Sequence, residues 1–308
     1  MIAILMATYN GENYIEEQLN SLLAQTVQDF IVYIQDDCST DDTYSILKVY
    51  SRKYPNKFMV SRNELNTGGA KNNFMQMMVK HHNDYVMLCD QDDVWLPNKI
   101  ELALEKMMSL EKKYGVSEPI LVHTDLTVVD SSLNITAKSF NGLMQIDPSR
   151  YTLRYLLVQN IVTGCTTMYN QALCNFLYAT PQFLIIHDWW LALIAGAFGK
   201  IGFINEQTIL YRQHENNQIG AKNVKSIKYI ICKILNSESI KYSLLETYLQ
   251  AECFLSFYNE KLSVEIKRLI AQYSEIPKLN KANRLIRIFK IRTLKNGLSR
   301  KIGQIIYI

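Results

Sequence analysis

At 308 residues, 48% hydrophobic and 11% aromatic, the chain can bury a large core and has room for one big α/β domain with an appendage. Its six cysteines include no C-x-x-C pair and several lie in apolar runs, so a reduced, cytosolic protein is expected and neither a zinc site nor a disulfide framework is indicated. The net charge of +4 is small, no basic region precedes the strand-like IAILMATY, and the longest apolar stretch, Trp189 to Gly199, is too short to span a bilayer; neither a secretory signal nor a transmembrane segment is expected.

Ile2 to Met6 reads as a buried strand, followed by a turn at Ala7 to Gly11 and a helix from about Tyr14 to Ala24 with Ile15, Leu19, Leu22 and Leu23 on one face. Phe30 to Gln35 is a second strand, and the acidic DDCSTDDT behind it leads into a helix running to Tyr54, capped by Ser39 or Thr40. Lys57 to Ser61 is a third strand, followed by a loop with Gly68, Gly69 and Lys71 and then a helix start. Tyr85 to Cys89 is a fourth. It stops abruptly at Asp90, Asp92 and Asp93, and a helical pattern is expected from Trp95 and Pro97 to about Lys113.

Strands alternating with helices of a dozen residues or more indicate a mostly parallel sheet with right-handed crossovers. Further on, Pro119 to Val129 reads as strand and Ser131 to Pro148 as loop. Tyr151 to Gln159 reads as helix, and Ile161 to Tyr169 as a strand interrupted at Gly164, where a ligand or backbone approaches closely. Phe183 to Phe198 is a hydrophobic helix with Asp188 at its front. Lys200 to Ile204 and Thr208 to Tyr211 are two short strands, followed by His214 and a polar loop from Glu215 to Gly220.

From Ala221 the strand signals end, and Ser226 to Leu235, Ser239 to Tyr258 and Ala282 to Ile308 read as helices. The division expected is an α/β domain over 1–220 and a helical, basic region over 221–308. Ile276 to Ile308 holds nine Lys or Arg and no acid, interleaved with Leu285, Ile286, Ile288, Phe289 and Ile291. That pattern suits the surface of an anionic membrane. Without a recognition motif or a stacking platform, nucleic acid is not the expected partner.

Ligands of parallel sheets bind where the strands end and the loops converge. Thr8-Tyr9-Asn10, Asp36-Asp37, Gly68 to Lys71 and Asp90 to Asp93 all fall on that edge. They offer an aromatic face, an acceptor for a base N–H, a flexible basic loop for phosphate and a cage of oxygen ligands. Singly each has an ordinary explanation: packing for Tyr9, a cap for Asp36, a plain turn for the glycines. Together they describe a site for a nucleoside diphosphate and a hard cation, Mn²⁺ or Mg²⁺ rather than zinc. Asp188, beside so much apolar surface, is expected to have a raised pKa and to suit general acid or base work.

The segments ATYNG (7–11), DDCSTDDT (36–43), NTGGAKNNF (66–74), CDQDDVWLPNKIE (89–101), TGCTTMYN (163–170), HDWW (187–190) and YRQHENNQIG (211–220) appear in the order found in the family 2 glycosyltransferases. The chain resembles that family, and within it the bacterial rhamnosyltransferase-type members. The resemblance implies the GT-A fold, a mixed and mostly parallel sheet flanked by helices, with a C-terminal helical extension.

It further implies an inverting transfer of sugar, rhamnose from dTDP-rhamnose first and a UDP-sugar next. The acceptor implied is a hydroxyl of a lipid-linked saccharide on the cytoplasmic face of the membrane. Thr8, Tyr9, Asp36, Lys71 and Asp90 are implied nucleotide contacts, Asp92 and His214 metal ligands, and Asp188 the catalytic base. Asp93, Gly164 and Trp189 are the positions expected against the donor or acceptor sugar. Lys71 stands where relatives often have Arg, and His187-Asp188 where many have Glu-Asp.

Two rivals share parts of the pattern. Asp90-Gln91-Asp92-Asp93-Val94 also fits the nucleophile motif of haloacid dehalogenase-type phosphatases, although that motif lies on the first strand of its domain. A non-catalytic carbohydrate-binding relative would be expected to lack one of the acids.

Overall fold

The computed structural model describes residues 1–214 and 237–308. The loop expected from Glu215 to Gly220 and the helix over Ser226 to Leu235 lie outside the described residues. Two compact units result. One takes 1–140, 162–180 and 199–214, the other 141–161, 181–198 and 237–308.

The first unit is built on the strands β1 (Ile2–Thr8), β2 (Phe30–Asp36), β3 (Phe58–Arg62), β4 (Tyr85–Cys89), β5 (Val94–Trp95), β6 (Ile120–Val129), β7 (Ile135–Ala137), β8 (Thr167–Asn170) and β9 (Lys200–Arg212). They form one sheet in the order β3-β2-β1-β4-β8-β6-β9-β5, with β7 on β6. β1, β2, β3 and β4 pair in parallel, as the apolar runs separated by helices required. β8 enters antiparallel between β4 and β6, and β5 is antiparallel to β9, which makes the sheet mixed. Every residue of β1 is buried, because it is a central strand with helices packed on the sheet.

The helices α1 (Ile15–Leu23), α2 (Thr43–Lys53), α3 (Ala70–Lys80) and α4 (Lys99–Tyr114) fall where the periodicity placed them. Ile15, Leu19 and Leu22 of α1 are fully buried. Three expectations are corrected. Trp95 does not begin a helix: Val94 and Trp95 pair with Leu210 and Ile209, Leu96 N–H bonds the Thr208 carbonyl, and α4 starts only at Lys99. The two short strands expected after Lys200 are one strand, β9. The polar Asn205 to Gln207 stretch is absorbed by register irregularities opposite Asp125. The loop expected over 131–148 contains β7 and a short helix, Phe140–Met144.

The second unit is helical. The helix His187–Phe198 is apolar all round and packs inside the unit: Trp190 lies 5.1, 5.9 and 6.0 Å from the rings of Phe254, Phe257 and Tyr258. That aromatic cluster joins 181–198 to the C-terminal helices, so the units do not divide at residue 220 in chain order. The helix Ser237–Phe257 was expected. The helix Val264–Ser274, capped by Ser263, was not. The single helix expected from Ala282 to Ile308 is two, Lys281–Ile291 and Leu298–Tyr307, because Arg292 takes a left-handed conformation (φ 57°) and Gly297 another (φ 82°). No described helix is long and apolar enough to cross a membrane.

His123, in the middle of β6, is 1% exposed, its Nε2 has no hydrogen-bond partner, and Phe203 packs on its ring at 5.1 Å. Burial pushes its pKa from 6.5 down to about 4. The unfolded chain therefore takes up a proton below about pH 6.5 that the folded chain refuses until about pH 4. Stability from this residue is present above that window and lost as pH falls through it, by up to about 3 kcal/mol. Chemical unfolding of His123→Leu between pH 7 and 4 should show a correspondingly shallower decline than the parent. Parallel curves would contradict this.

Candidate active site

The register of the sheet aligns three strand ends. Thr8 pairs with Asp36 across β1 and β2, and Met6 with Cys89 across β1 and β4, so the loops after all three strands leave from one edge. Asp36 is fully buried, and both its oxygens are taken. Oδ1 accepts from the Thr8 and Ser39 hydroxyls, and Oδ2 accepts from Ser39 N–H (3.1 Å) and pairs with Arg62 Nε (3.2 Å). Asp37 is held likewise by Asn63 Nδ2 and by the main chain and hydroxyl of Thr67, which ties the glycine loop to the end of β2.

In that loop Gly68 and Gly69 have φ of 87° and 129°, the left-handed region that only glycine occupies without strain. Lys71 follows in the first turn of α3. Tyr9 is 49% exposed. Its main chain is fixed by Gln91, which accepts from Tyr9 N–H and donates to the Tyr9 carbonyl, each at 2.9 Å. A Cβ on Gly11 would lie 2.5 Å from the Gln91 side chain, so the glycine leaves room for this lock.

The acid loop after β4 has an outer pair and an inner cluster. Outside, Asp92 Oδ2 lies 2.9 Å from His214 Nε2, with both side chains partly exposed. Inside, carboxylate oxygens of Asp90 and Asp93 and the Cys165 sulfur lie within 4.8 Å of one another. Asp93 is fully buried. Its Oδ1 accepts from Arg212 N–H (3.2 Å), and its Oδ2 has no hydrogen-bond partner. Burial, then the charges of Asp92 and Asp90, push its pKa well above the usual carboxylate range. Burial, then the charges of Asp93 and Asp90, push the Cys165 thiol up as well, so it stays protonated.

Lys99 at the start of α4 is also fully buried. Its Nζ lies 4.5 Å over the Trp95 ring with no hydrogen-bond acceptor. Burial lowers its pKa to about 8 against the pull of Cys165, Cys89 and Asp93, leaving a positive charge in the core near the acids at neutral pH. The donor set of carboxylates and an imidazole is one that a hard or borderline divalent cation takes. The mutual repulsion of the acids, which favours the neutral form of Asp93, is what such a cation would relieve.

In the second unit Asp188 occupies the first turn of the helix His187–Phe198 and is 6% exposed. Its Oδ1 accepts from Asn160 Nδ2 at 3.0 Å. Trp189 Nε1 donates to the Leu156 carbonyl, which fixes the indole, and burial lowers the neighbouring His187 to about 3. Of the residues singled out from sequence, Thr8, Tyr9, Asp36, Asp90, Asp92, Asp93 and His214 surround the strand ends of the first unit. Gly164 begins the turn that presents Cys165 to the acids, Lys71 follows the glycine loop, and Asp188 and Trp189 belong to the second unit. Gln91, Lys99, Asn160, Cys165 and Arg212 were not foreseen. Of these only Gln91 lies inside the acid motif, where its position was a signal.

Among proteins of known sequence, the chain is 31% identical to the dTDP-rhamnosyl transferase RfbG of Shigella flexneri over 237 residues, 73% of this chain and 76% of that one. It is 28% identical to the putative teichuronic acid biosynthesis glycosyltransferase TuaG of Bacillus subtilis, over 74% of this chain and 84% of that one. Among solved structures, Staphylococcus aureus TarS 1–349 in complex with UDP-GlcNAc superposes with a TM-score of 0.54 at 19% identity, over 90% of this chain and 80% of that one. The mannosyltransferase PcManGT of Pyrobaculum calidifontis, in complex with GDP-Man and Mn²⁺, gives a TM-score of 0.54 at 15% identity, over 94% of this chain and 73% of that one. The fold is GT-A, and with the profile of Glycosyl transferase family 2 matching residues 3–171, the chain belongs to that family of glycosyltransferases.

Proposed function

We propose that the chain is an inverting glycosyltransferase that moves rhamnose from dTDP-rhamnose to a hydroxyl of a lipid-linked saccharide during synthesis of a bacterial surface polysaccharide. The observation that carries this reading is the placement of Tyr9, Asp36 and the acid loop on one sheet edge. The likeness to RfbG over 73% of the chain supports the choice of donor. Tyr9, half exposed on a fixed main chain, offers its ring face to the base. Asp36, with both oxygens in use, meets a base N–H by exchanging one of those bonds and otherwise orients Thr8 and Ser39 beneath it. Asp90 and Lys71 extend the nucleotide contacts, and Asp93, Gly164 and Trp189 are assigned to the sugars.

In the reaction the acceptor oxygen attacks the anomeric carbon, the bond from that carbon to the diphosphate breaks with its electrons, and the hydroxyl proton passes to Asp188. Asn160 orients that carboxylate. Asp92 and His214, with Asp90 or Asp93, would hold Mn²⁺ or Mg²⁺, which when bound supplies positive charge to the departing diphosphate. The phosphatase reading is disfavoured because the acid motif follows the fourth strand of its sheet rather than the first. A panel of dTDP-, UDP- and GDP-sugars, assayed for release of the nucleoside diphosphate with Mn²⁺ or Mg²⁺ and with lipid-linked acceptors, tests the proposal. Turnover of dTDP-rhamnose is expected, whereas cleavage of simple phosphomonoesters alone would overturn it.

The C-terminal helices are assigned to the inner face of the membrane. Ile286 and Phe289 on one helix and Leu298, Ile302 and Ile306 on the other are exposed, beside Lys290, Arg292 and Lys301. Five exposed apolar residues among basic ones suit anionic lipid better than a second copy carrying the same charge. Sedimentation with vesicles containing phosphatidylglycerol should be lost in Ile286→Ser/Phe289→Ser. Equal binding by parent and variant, or none by the parent, would count against the assignment.

A further inference from the structure

We infer that Arg212 is a positioning residue that sets the distance between Asp92 and His214, with Tyr14 and Glu17 as its support. The inference rests on the reading of Asp92 and His214 as cation ligands. Arg212 ends β9 and is only 2% exposed, although its guanidinium is always charged. A buried charge of this kind persists only where its donors are met by acceptors. Nε donates to the Asp92 carbonyl at 2.9 Å, one terminal nitrogen to the Ser131 carbonyl, and the other pairs with the Glu17 carboxylate on α1. The Arg212 main-chain N–H holds Asp93 Oδ1.

The choice of acceptors is informative. Two are main-chain carbonyls, one in the acid loop and one just after β6, so the fork ties those two stretches of backbone together and leaves the Asp92 carboxylate for other work. The third ties the same fork to the first helix. The guanidinium lies 4.6 Å over the ring of Tyr14, and that ring lies 4.9 Å from the ring of His214. One tyrosine therefore carries both the arginine and the histidine that follows it by two residues.

The sheet explains why these groups meet. β5 and β9 are antiparallel with Val94 opposite Leu210, so two residues further along each strand Arg212 comes opposite Asp92. An arginine there clamps the loop to β9 just before the chain reaches His214. A lysine supplies a single ammonium in place of a planar fork and reaches at most part of this acceptor set.

The test measures Mn²⁺ affinity directly, by calorimetry on protein without nucleotide, for the parent, Arg212→Lys, Glu17→Gln, Asp92→Ala and His214→Ala. Thermal unfolding establishes that each is folded. Loss of an outer contact that orients a ligand is expected to weaken the metal by about ten-fold or more in Arg212→Lys. A smaller loss is expected in Glu17→Gln, because Glu17 is itself 55% exposed and its replacement leaves the two carbonyl contacts of Arg212 in place. The apparent KM for Mn²⁺ should rise more than kcat falls. Because Arg212 acts through the Asp92–His214 pair, Arg212→Lys should add less than two-fold when His214 is already alanine.

Folded Arg212→Lys and Glu17→Gln proteins with parental Mn²⁺ affinity would overturn the inference. So would losses that multiply fully in the Arg212→Lys/His214→Ala double variant. Unchanged affinity in Asp92→Ala and His214→Ala would instead remove the ligand assignment on which the inference stands.

Discussion

Asp188→Asn protein should bind the donor as the parent does and turn it over about 10²- to 10⁴-fold more slowly, the range that a positioned general base contributes. The substitution is nearly isosteric. An asparagine oxygen can still accept the hydrogen bond from Asn160 Nδ2, so the helix start keeps its local contacts. What is lost is the capacity to take up the acceptor's proton. His187 is no substitute, because burial holds its pKa near 3 and leaves it a very weak base at working pH. Donor affinity by calorimetry and kcat with saturating acceptor separate the two effects. Parental turnover would remove Asp188 from the mechanism, and a matched loss of donor binding would reassign it to the donor.

Asp92→Ala is expected to lose turnover on the order of 10³-fold, the several kcal/mol that cation stabilisation of a leaving diphosphate supplies. The fold should survive. Asp92 is a partly exposed side chain whose charge helps push the Asp93 carboxyl up, so its removal relieves repulsion inside the loop. The Asp92 carbonyl, which Arg212 holds, is unchanged by the substitution. The expected pattern is an unfolding temperature equal to or above that of the parent together with failure of Mn²⁺ to stimulate activity. A large drop in thermal stability with undiminished metal response would show that Asp92 serves the fold and not the cation.

The sequence made the first half of the sheet legible for a physical reason. β1, β2 and β4 are apolar runs that end in polar or acidic residues, so each announces both its burial and the loop that leaves it. The same feature places Tyr9, Asp36 and Asp90 to Asp93 on one edge. β5 was hidden because two residues carry no period, and β9 read as two strands because its polar Asn205 to Gln207 stretch marks an irregular register rather than an end.

Lys99 is a lysine in the first turn of a helix, where such side chains are mostly solvated, and it is fully buried. Arg212 looked like part of a motif whose interest lay in His214, and its partners are Glu17, Asp92 and Ser131, far away in sequence. Contacts of that separation are fixed by strand pairing, which composition and spacing do not report. The basic tail was overread in one respect. Arg284, Arg287 and Arg300 spend guanidinium donors on main-chain carbonyls of their own unit, so fewer donors face outward than the count of nine suggested, although each arginine keeps its charge.

The central claim is that the acids after β4 hold a cation through which the donor's diphosphate is gripped. The direct measurement is the affinity of the parent protein for dTDP by calorimetry, with Mn²⁺ present and then with the ion removed by EDTA. Tight binding that appears only with Mn²⁺, and is absent from Asp92→Ala under both conditions, is the predicted result. Equal affinity for dTDP with and without the ion would contradict the account.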